Sequence, residues 1–298
     1  MSVSAAYLGI ILIWSTTPLA IQWSTQGAGF AFAVLARMAI GVALATLLLG
    51  LGRIGFPLHA RARRSYLAGG LGLFGAMTLT YWGARYVHSG LISVLFGLTP
   101  LVTSVFAAFW LGERGLTPSR LAGMALGIAG LATIFAEGEG AGGAQAALGL
   151  AALVLAVLIY SASMVWIKRI GDDSPPLATT AGTLAVSLPL FGLVWWFVEG
   201  RLPAELPPRA AAAIVYLGVF GSVLGFALYF YVIRHMEAGS VALITLITPV
   251  LALLLGQALN GEEIGARVWL GAALIAAGLL LHQWTGLVGA LRRAEQSG

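Results

Sequence analysis

Gly90–Glu113 reads GLISVLFGLTPLVTSVFAAFWLGE. The stretch is apolar throughout, carries Thr99-Pro100 near its middle, and stops at Gly112-Glu113. Its frame returns once. Gly239, Thr248-Pro249 and Gly261-Glu262 each lie 149 residues further on (90 to 239, 100 to 249, 113 to 262), and Arg234 repeats Arg85 at the same offset. Two copies of one punctuated apolar segment imply a duplicated architecture.

The rest of the chain has the same character. Of 298 residues 59% are hydrophobic and 9% charged, with a mean hydropathy of +0.94. Soluble domains carry about 25% charged residues, so most of this surface must face lipid. Crossing a hydrocarbon core of about 30 Å takes roughly 20 apolar residues as a helix. The alternation of a lipid-facing barrel is absent, which leaves helices to satisfy the backbone. The fold expected is therefore an all-α membrane protein. Most of the forty glycines lie inside apolar runs, where small residues let helices approach closely. There is no cysteine, hence no disulfide or thiolate chemistry. The first apolar run lacks a cleavage-type ending and reads as a retained span.

Ten spans are expected: Ser4–Ser24, Phe30–Gly52, Ser65–Arg85, Ser89–Leu111, Pro118–Ala136, Leu148–Trp166, Leu177–Val198, Ala210–Ile233, Gly239–Asn260 and Val268–Gly286. None contains Asp, Glu or Lys, and Arg37 is the one basic residue well inside a span. Loop charge alternates. Arg53, Arg61, Arg63, Arg64, Arg114, Arg120, Lys168, Arg169, Arg234, Arg292 and Arg293 fall on one side; Arg85, Arg201, Arg209 and Arg267 fall on the other. The richer side is the cytoplasmic one, which places both termini inside. That insertion pattern, not nucleic-acid binding, accounts for the net charge of +5. Five spans separate the two copies, and five is odd, so the copies must insert with opposite orientation. A first repeat (1–137) and an inverted second (146–290) are joined by a linker at 138–145. Inverted repeats are characteristic of transporters that alternate access about a midplane site.

Pro100 and Pro249 sit at the centres of spans four and nine. Proline lacks the N–H and clashes with the carbonyl four residues back, so the pair is expected to kink both spans and act as hinges. Thr99 and Thr248 can bond the freed carbonyls or face a substrate. Arg37 is costly in a membrane and is a functional candidate by default. It either orients a substrate carboxylate, or snorkels or binds carbonyls of a neighbouring helix. Aromatic walls with a few polar tips suit an amphipathic organic molecule. Trp14, Tyr81, Trp82, Phe96, Tyr160 and Tyr229 are the candidates for such walls, although Trp and Tyr near span ends also form interfacial belts. Trp166, Trp195, Trp196 and Trp284 are assigned to those belts. Trp14-Ser15-Thr16-Thr17-Pro18 reads as a polar break in span one. Ser15, Thr80, Ser163 and Gln257 complete the candidate binding set, together with Thr99. Ser93 and Ser161 are further polar groups at depth. Each polar group alone also fits a role as interhelical glue. His88, His235 and His282 have no metal-ligand spacing and read as satisfied interfacial groups. No nucleophile, phosphate-cradling or metal motif appears. No catalytic residue, metal or cofactor is therefore expected, and the chain does not read as an enzyme.

The two five-span halves, the central prolines of spans four and nine and the Gly-Glu after each resemble the EamA-type branch of the drug/metabolite transporter superfamily. The Trp14–Pro18 opening and Arg37 also look like that family's pattern, and the resemblance covers nearly the whole chain. Within the branch the chain is similar to the bacterial aromatic amino acid exporters. The resemblance implies an inner-membrane carrier that moves amino acids outward through a central cavity. It does not itself identify binding residues. Small multidrug carriers of the superfamily use a glutamate in their first span, which is missing here. Nucleotide-sugar carriers need several basic residues against phosphate, and only Arg37 could serve. The absence of a carboxylate in any span favours facilitated movement or exchange over carboxylate-based proton antiport; Arg37 and the histidines leave another route. The expectation is an alternating-access exporter of amino acids, preferring aromatic ones, with a small-molecule substrate, lipid around it and a single chain sufficing. Its rivals are an exporter of cationic or neutral drugs such as quaternary ammonium compounds, a ligand-binding membrane sensor, and a channel.

Overall fold

The protein is described by a computed structural model. It describes the backbone of residues 2–113, 117–141, 143–236 and 238–297, and the side chains of these apart from 137–141, 226, 230, 233–234, 238–240, 242 and 283–297. Arg114, and the side chains of Phe230, Arg234, Gly239, Trp284, Arg292 and Arg293, lie outside the described residues. Among the described residues all regular structure is helical. The order is α1 (Val3–Thr25), α2 (Phe30–Leu51), α3 (Ala60–Gly83), α4 (Ser89–Phe96), α5 (Thr99–Leu111), α6 (Pro118–Ala141), α7 (Gly143–Ile170), α8 (Pro176–Val198) and α9 (Pro208–Tyr216). A π-helical stretch (Leu217–Leu224), α10 (Gly225–His235), α11 (Ala238–Asn260) and α12 (Ala266–Ser297) follow. Among the described residues eight segments are long and apolar enough to cross a membrane, counting α4–α5 as one and α9 through the start of α10 as another. Of the rest, α3 opens on Arg61, Arg63 and Arg64, and the apolar part of α12 is Ala266–His282. The expected linker 138–145 is taken up by the end of α6 and the start of α7 on either side of Gly142. Large side chains such as Leu12 (61% exposed) and Phe197 (80%) cover the outside, as a protein solvated by lipid requires.

The chain divides into two compact units. The first comprises residues 1–19, 86–150 and 228–298. There Ala6, Ile10, Ile11 and Ile13 of α1 bury against Leu228 and Val232 of α10 and Ile244 of α11. Helices α6 and α12 cross antiparallel on facing glycines. A Cβ at Gly123 would strike the Gly278 carbonyl oxygen, and one at Gly130 the Gly271 carbonyl oxygen. Such close backbone approach replaces the hydrophobic drive that lipid does not supply between helices. α4 leans as closely on α11, where a Cβ at Gly90 would lie 2.7 Å from Leu253 Cα.

The second unit comprises residues 20–85 and 151–227. Small residues again set its packing. Gly69 and Gly70 of α3 face Thr183 and Val186 of α8, Gly72 faces Ser163 of α7, and the Tyr66 ring covers Gly182. The start of α2 is held by a carboxylate from the end of α8. Glu199 accepts from Ala31 N–H (3.0 Å) and Phe32 N–H (2.9 Å), an anion on the positive end of a helix.

Two local expectations are corrected. Trp14–Pro18 does not break span one, because α1 runs unbroken through Pro18. Thr16 Oγ1 donates to Leu12 O (2.7 Å) and Thr17 Oγ1 to Ile13 O (2.6 Å), so these hydroxyls fold back on the turn that the proline disturbs. Thr99 does not bond a freed carbonyl, since its buried Oγ1 has no hydrogen-bond partner.

Candidate functional site

Arg37 lies about a third of the way along α2 and is 6% exposed. It does not snorkel. Its Nε donates to Ser222 Oγ (3.0 Å), one Nη to the Tyr81 hydroxyl (3.3 Å) and the other to Gly221 O (3.3 Å). The guanidinium also sits 6.0 Å from the centroid of the Tyr81 ring. Tyr81 comes from the end of α3 and is fully buried.

The other two partners come from the π-helical stretch, whose wider turn has a local cause. Ser222 Oγ donates five residues back to Leu217 O (3.0 Å). Its lone pairs are thereby turned toward the Arg37 Nε–H. Gly218 lets α2 approach: a Cβ there would meet Ile40 Cγ2 at 2.6 Å and Arg37 O at 3.3 Å. π-Helical insertions are rare and concentrate at functional sites.

The electrostatics are one-sided. All three partners of Arg37 are neutral. Among the described residues no carboxylate lies within ion-pair distance of Arg37; an acid–base approach elsewhere, His59 to Asp172 at 3.6 Å, does not involve it. A buried cation without a carboxylate costs several kcal/mol unless its hydrogen bonds are met. Of five guanidinium N–H groups three are engaged, and the remaining two suit a carboxylate, which binds a planar guanidinium fork well.

The other expected site residues are placed as follows. In the second unit Trp82 is half-buried with Arg85 5.8 Å from its ring, and Tyr160 is half-buried. Thr80 Oγ1 donates to Ala76 O (2.7 Å) and Ser163 Oγ to Ala68 O (2.9 Å). In the first unit Trp14 and Tyr229 pair at 5.0 Å between centroids. Ser15 Oγ is buried without a partner, Phe96 is half-buried and Gln257 is exposed. The structure thus gathers Arg37 with Tyr81, and Trp14 with Tyr229. It adds Gly221 and Ser222, which sequence reasoning passed over. The run Gly218-Val-Phe-Gly221-Ser222 was the available signal, a polar residue between glycines in an otherwise apolar span.

Glu262 performs in the first unit what Glu199 does in the second. Its two carboxylate oxygens accept from Ser89 N–H at the start of α4 (3.1 and 3.0 Å), and Asn260 Nδ2 donates to one of them (2.9 Å). Among the described residues no group of three or more His, Cys, Asp or Glu could hold a metal ion.

Comparison with known proteins agrees with this architecture. The model of the EamA-like transporter family matches residues 2–136 and 147–282. A probable terminal-alkyne amino-acid exporter of Streptantibioticus cattleyicolor is 30% identical over 289 residues, 94% of either chain. The uncharacterized transporter YoaV of Bacillus subtilis is 25% identical, covering 96% of this chain and 98% of its own. The inner membrane transporter YedA of Escherichia coli is 25% identical over 93% of this chain and 89% of its own. A solved crystal structure at 22% identity superposes with a TM-score of 0.63 over 96% of this chain and 99% of that one, which shows a shared fold. This multi-pass, all-helical chain belongs to the EamA-like transporter family and is a membrane transporter.

Proposed function

We propose that the protein exports amino acids across the bacterial inner membrane, with a preference for aromatic side chains, by alternating access. The observation that carries this reading is Arg37, a buried guanidinium anchored by Ser222, Tyr81 and Gly221 with no carboxylate among the described residues paired to it. Such a group calls for an anion from outside the chain, and one carboxylate satisfies it. It also weighs against organic cations as substrates. The amino-acid exporter among the relatives supports the substrate class. The ring pair Trp14–Tyr229 and the buried Tyr81 support aromatic side chains as cargo.

In this reading residues 1–137 and 146–290 are two five-span repeats of opposite orientation, with both termini cytoplasmic. The antiparallel glycine crossing of α6 with α12 is what a two-fold relation between repeats would produce. Spans four and nine flex about Pro100 and Pro249. The remaining expected residues, Ser15, Thr80, Trp82, Phe96, Thr99, Tyr160, Ser163 and Gln257, stand as further candidates for the path. With no carboxylate in any span, the substrate moves down its own gradient or by exchange.

The test is counterflow in proteoliposomes with an aromatic amino acid, the amine left by removing its carboxyl group, and a quaternary ammonium compound. The amino acid should exchange and the other two should not. Arg37→Gln should weaken amino-acid binding by about tenfold or more, the worth of one charge-assisted hydrogen bond. Equal uptake of the amine would remove Arg37 from substrate recognition.

A further inference from the structure

The sequence leaves His282 as a satisfied histidine at the end of span ten, but its surroundings differ from that reading. It is 8% exposed. Its Nε2 lies 2.9 Å from Ser104 Oγ of α5. The Ser104 hydroxyl proton is already committed to Leu101 O at 2.7 Å, so Oγ meets the ring as an acceptor. With that bond kept, the ring carries its proton on Nε2. That leaves Nδ1 a bare lone pair, and Nδ1 is buried without a hydrogen-bond partner. Of the elements packed around the ring, α5 contributes Ser104. α6 contributes Gly123, where a Cβ would lie 3.2 Å from His282 Cβ. Arg120, near the start of α6, is the charged group among the described residues that reaches it electrostatically.

We propose that His282 is a proton-binding site of this transporter, and that its occupancy biases the conformational cycle. The packing gives a proton on Nδ1 no acceptor. Any conformation that parts α12 from α5 and α6 admits water to Nδ1 and supplies one. A ligand shifts a conformational equilibrium by its differential affinity for the two states, so proton uptake favours the parted state. His282, its tautomer set by Ser104, thereby offers a carboxylate-free route to proton sensitivity. The inference rests on the transporter reading for its consequence, but not for the site itself.

Two measurements separate the two. The first follows the full chain, labelled with nitrogen-15 histidine in lipid nanodiscs, between about pH 5 and 8. The His282 signal is assigned by its loss in His282→Gln, or through its displacement in Ser104→Ala if the first variant does not fold. It should show the Nε2–H tautomer at the alkaline end and gain a proton on Nδ1 at the acid end. A proton on Nδ1 throughout, or an unchanging signal, overturns the site. The second is counterflow over the same range. Wild-type turnover should change about fivefold or more, the low end of typical coupling between sites, and His282→Gln should be flat. A flat wild type, or a variant with the wild-type profile, overturns the bias. Absence of counterflow at every pH refutes the transporter reading instead, while the first measurement still decides the site.

Discussion

The two copies of the punctuated segment finish alike and differ in the middle. Gly112 and Gly261 both take the left-handed conformation, at φ +66° and +64°. The next N–H then reaches six residues back in each copy, Glu113 to Ala107 O at 3.4 Å and Glu262 to Gly256 O at 3.2 Å. Each bond runs one residue wider than the closing bond of an ordinary glycine cap, so the two copies share the same wide final turn. The centres part company. Around Pro100 the span is split: α4 ends at Phe96, and Leu98 N–H turns back to Leu95 O at 2.9 Å before α5 begins. Around Pro249 the helix α11 runs through. Both copies have the proline, but the first has Gly97 where the second has Leu246. Proline alone therefore does not divide a span; proline with a glycine three residues before it does.

The difference makes the two prolines energetically unlike. Pro100 occupies the first turn of α5, where no intrahelical N–H is required. Pro249 sits inside α11, where it has no N–H to donate and its ring crowds the carbonyl four residues back. Pro249→Ala should raise stability by up to about 3 kcal/mol, the cost of proline in a helix interior. Pro100→Ala should change it by less than about 0.5 kcal/mol, as at a tolerated first-turn position. Thermal unfolding of the two variants in detergent measures this. Similar shifts would mean that the copies are equivalent after all. If both prolines act as hinges, each variant changes turnover more than substrate affinity.

The shared ending yields the next largest effect. Glu262 is both the residue after the glycine cap and the carboxylate on the α4 N-terminus. Gly256 leaves room for it, since a Cβ there would meet the carboxylate and lie 2.9 Å from Ser89 Oγ. Glu262→Gln keeps one acceptor and the shape but loses the charge. It should cost about 2 kcal/mol, as hydrogen bonds to charged groups do, with protease sensitivity rising near Ser89. A neutral result would reduce the Gly-Glu pair to a helix stop.

These differences show what was legible in the chain. Lipid as solvent and the placement of most spans follow from composition, and one charge among apolar neighbours singles out Arg37 as a candidate. The link from Arg37 to Tyr81 was half legible: both residues stood out, but the end-of-span position of Tyr81 suited an interfacial belt equally. Ser222 was not legible. A π-helical turn has no periodicity of its own, and its serine matters only because Arg37 of α2 lies against it. His282 escaped for a related reason: the tautomer depends on Ser104, 178 residues away in sequence. Gly97 does not stand out among forty glycines. Its role shows only when the same frame is seen with leucine in its place.

Gly97 also gives the finest test, and the sign of the effect decides it. A Cβ on Gly97 would lie 2.9 Å from Val94 O, closer than side chains come to backbone. While the span stays split, Gly97→Ala should cost about 1 kcal/mol, through strain of the kind that overpacking causes. The split takes both residues: a continuous helix would set the Pro100 ring against the carbonyl of Phe96, four residues back, and Gly97 lets the chain turn aside where Leu246 of the second copy does not. Remove that ring and the argument reverses. In the Pro100→Ala background the segment can close into one helix, and Gly97→Ala should then gain about 1 kcal/mol, the helix propensity difference between the two residues. A double-mutant cycle on thermal stability reads the reversal directly. The same sign in both backgrounds would assign the split to the glycine alone, and Pro100 would then be no more a hinge than Pro249 is a break.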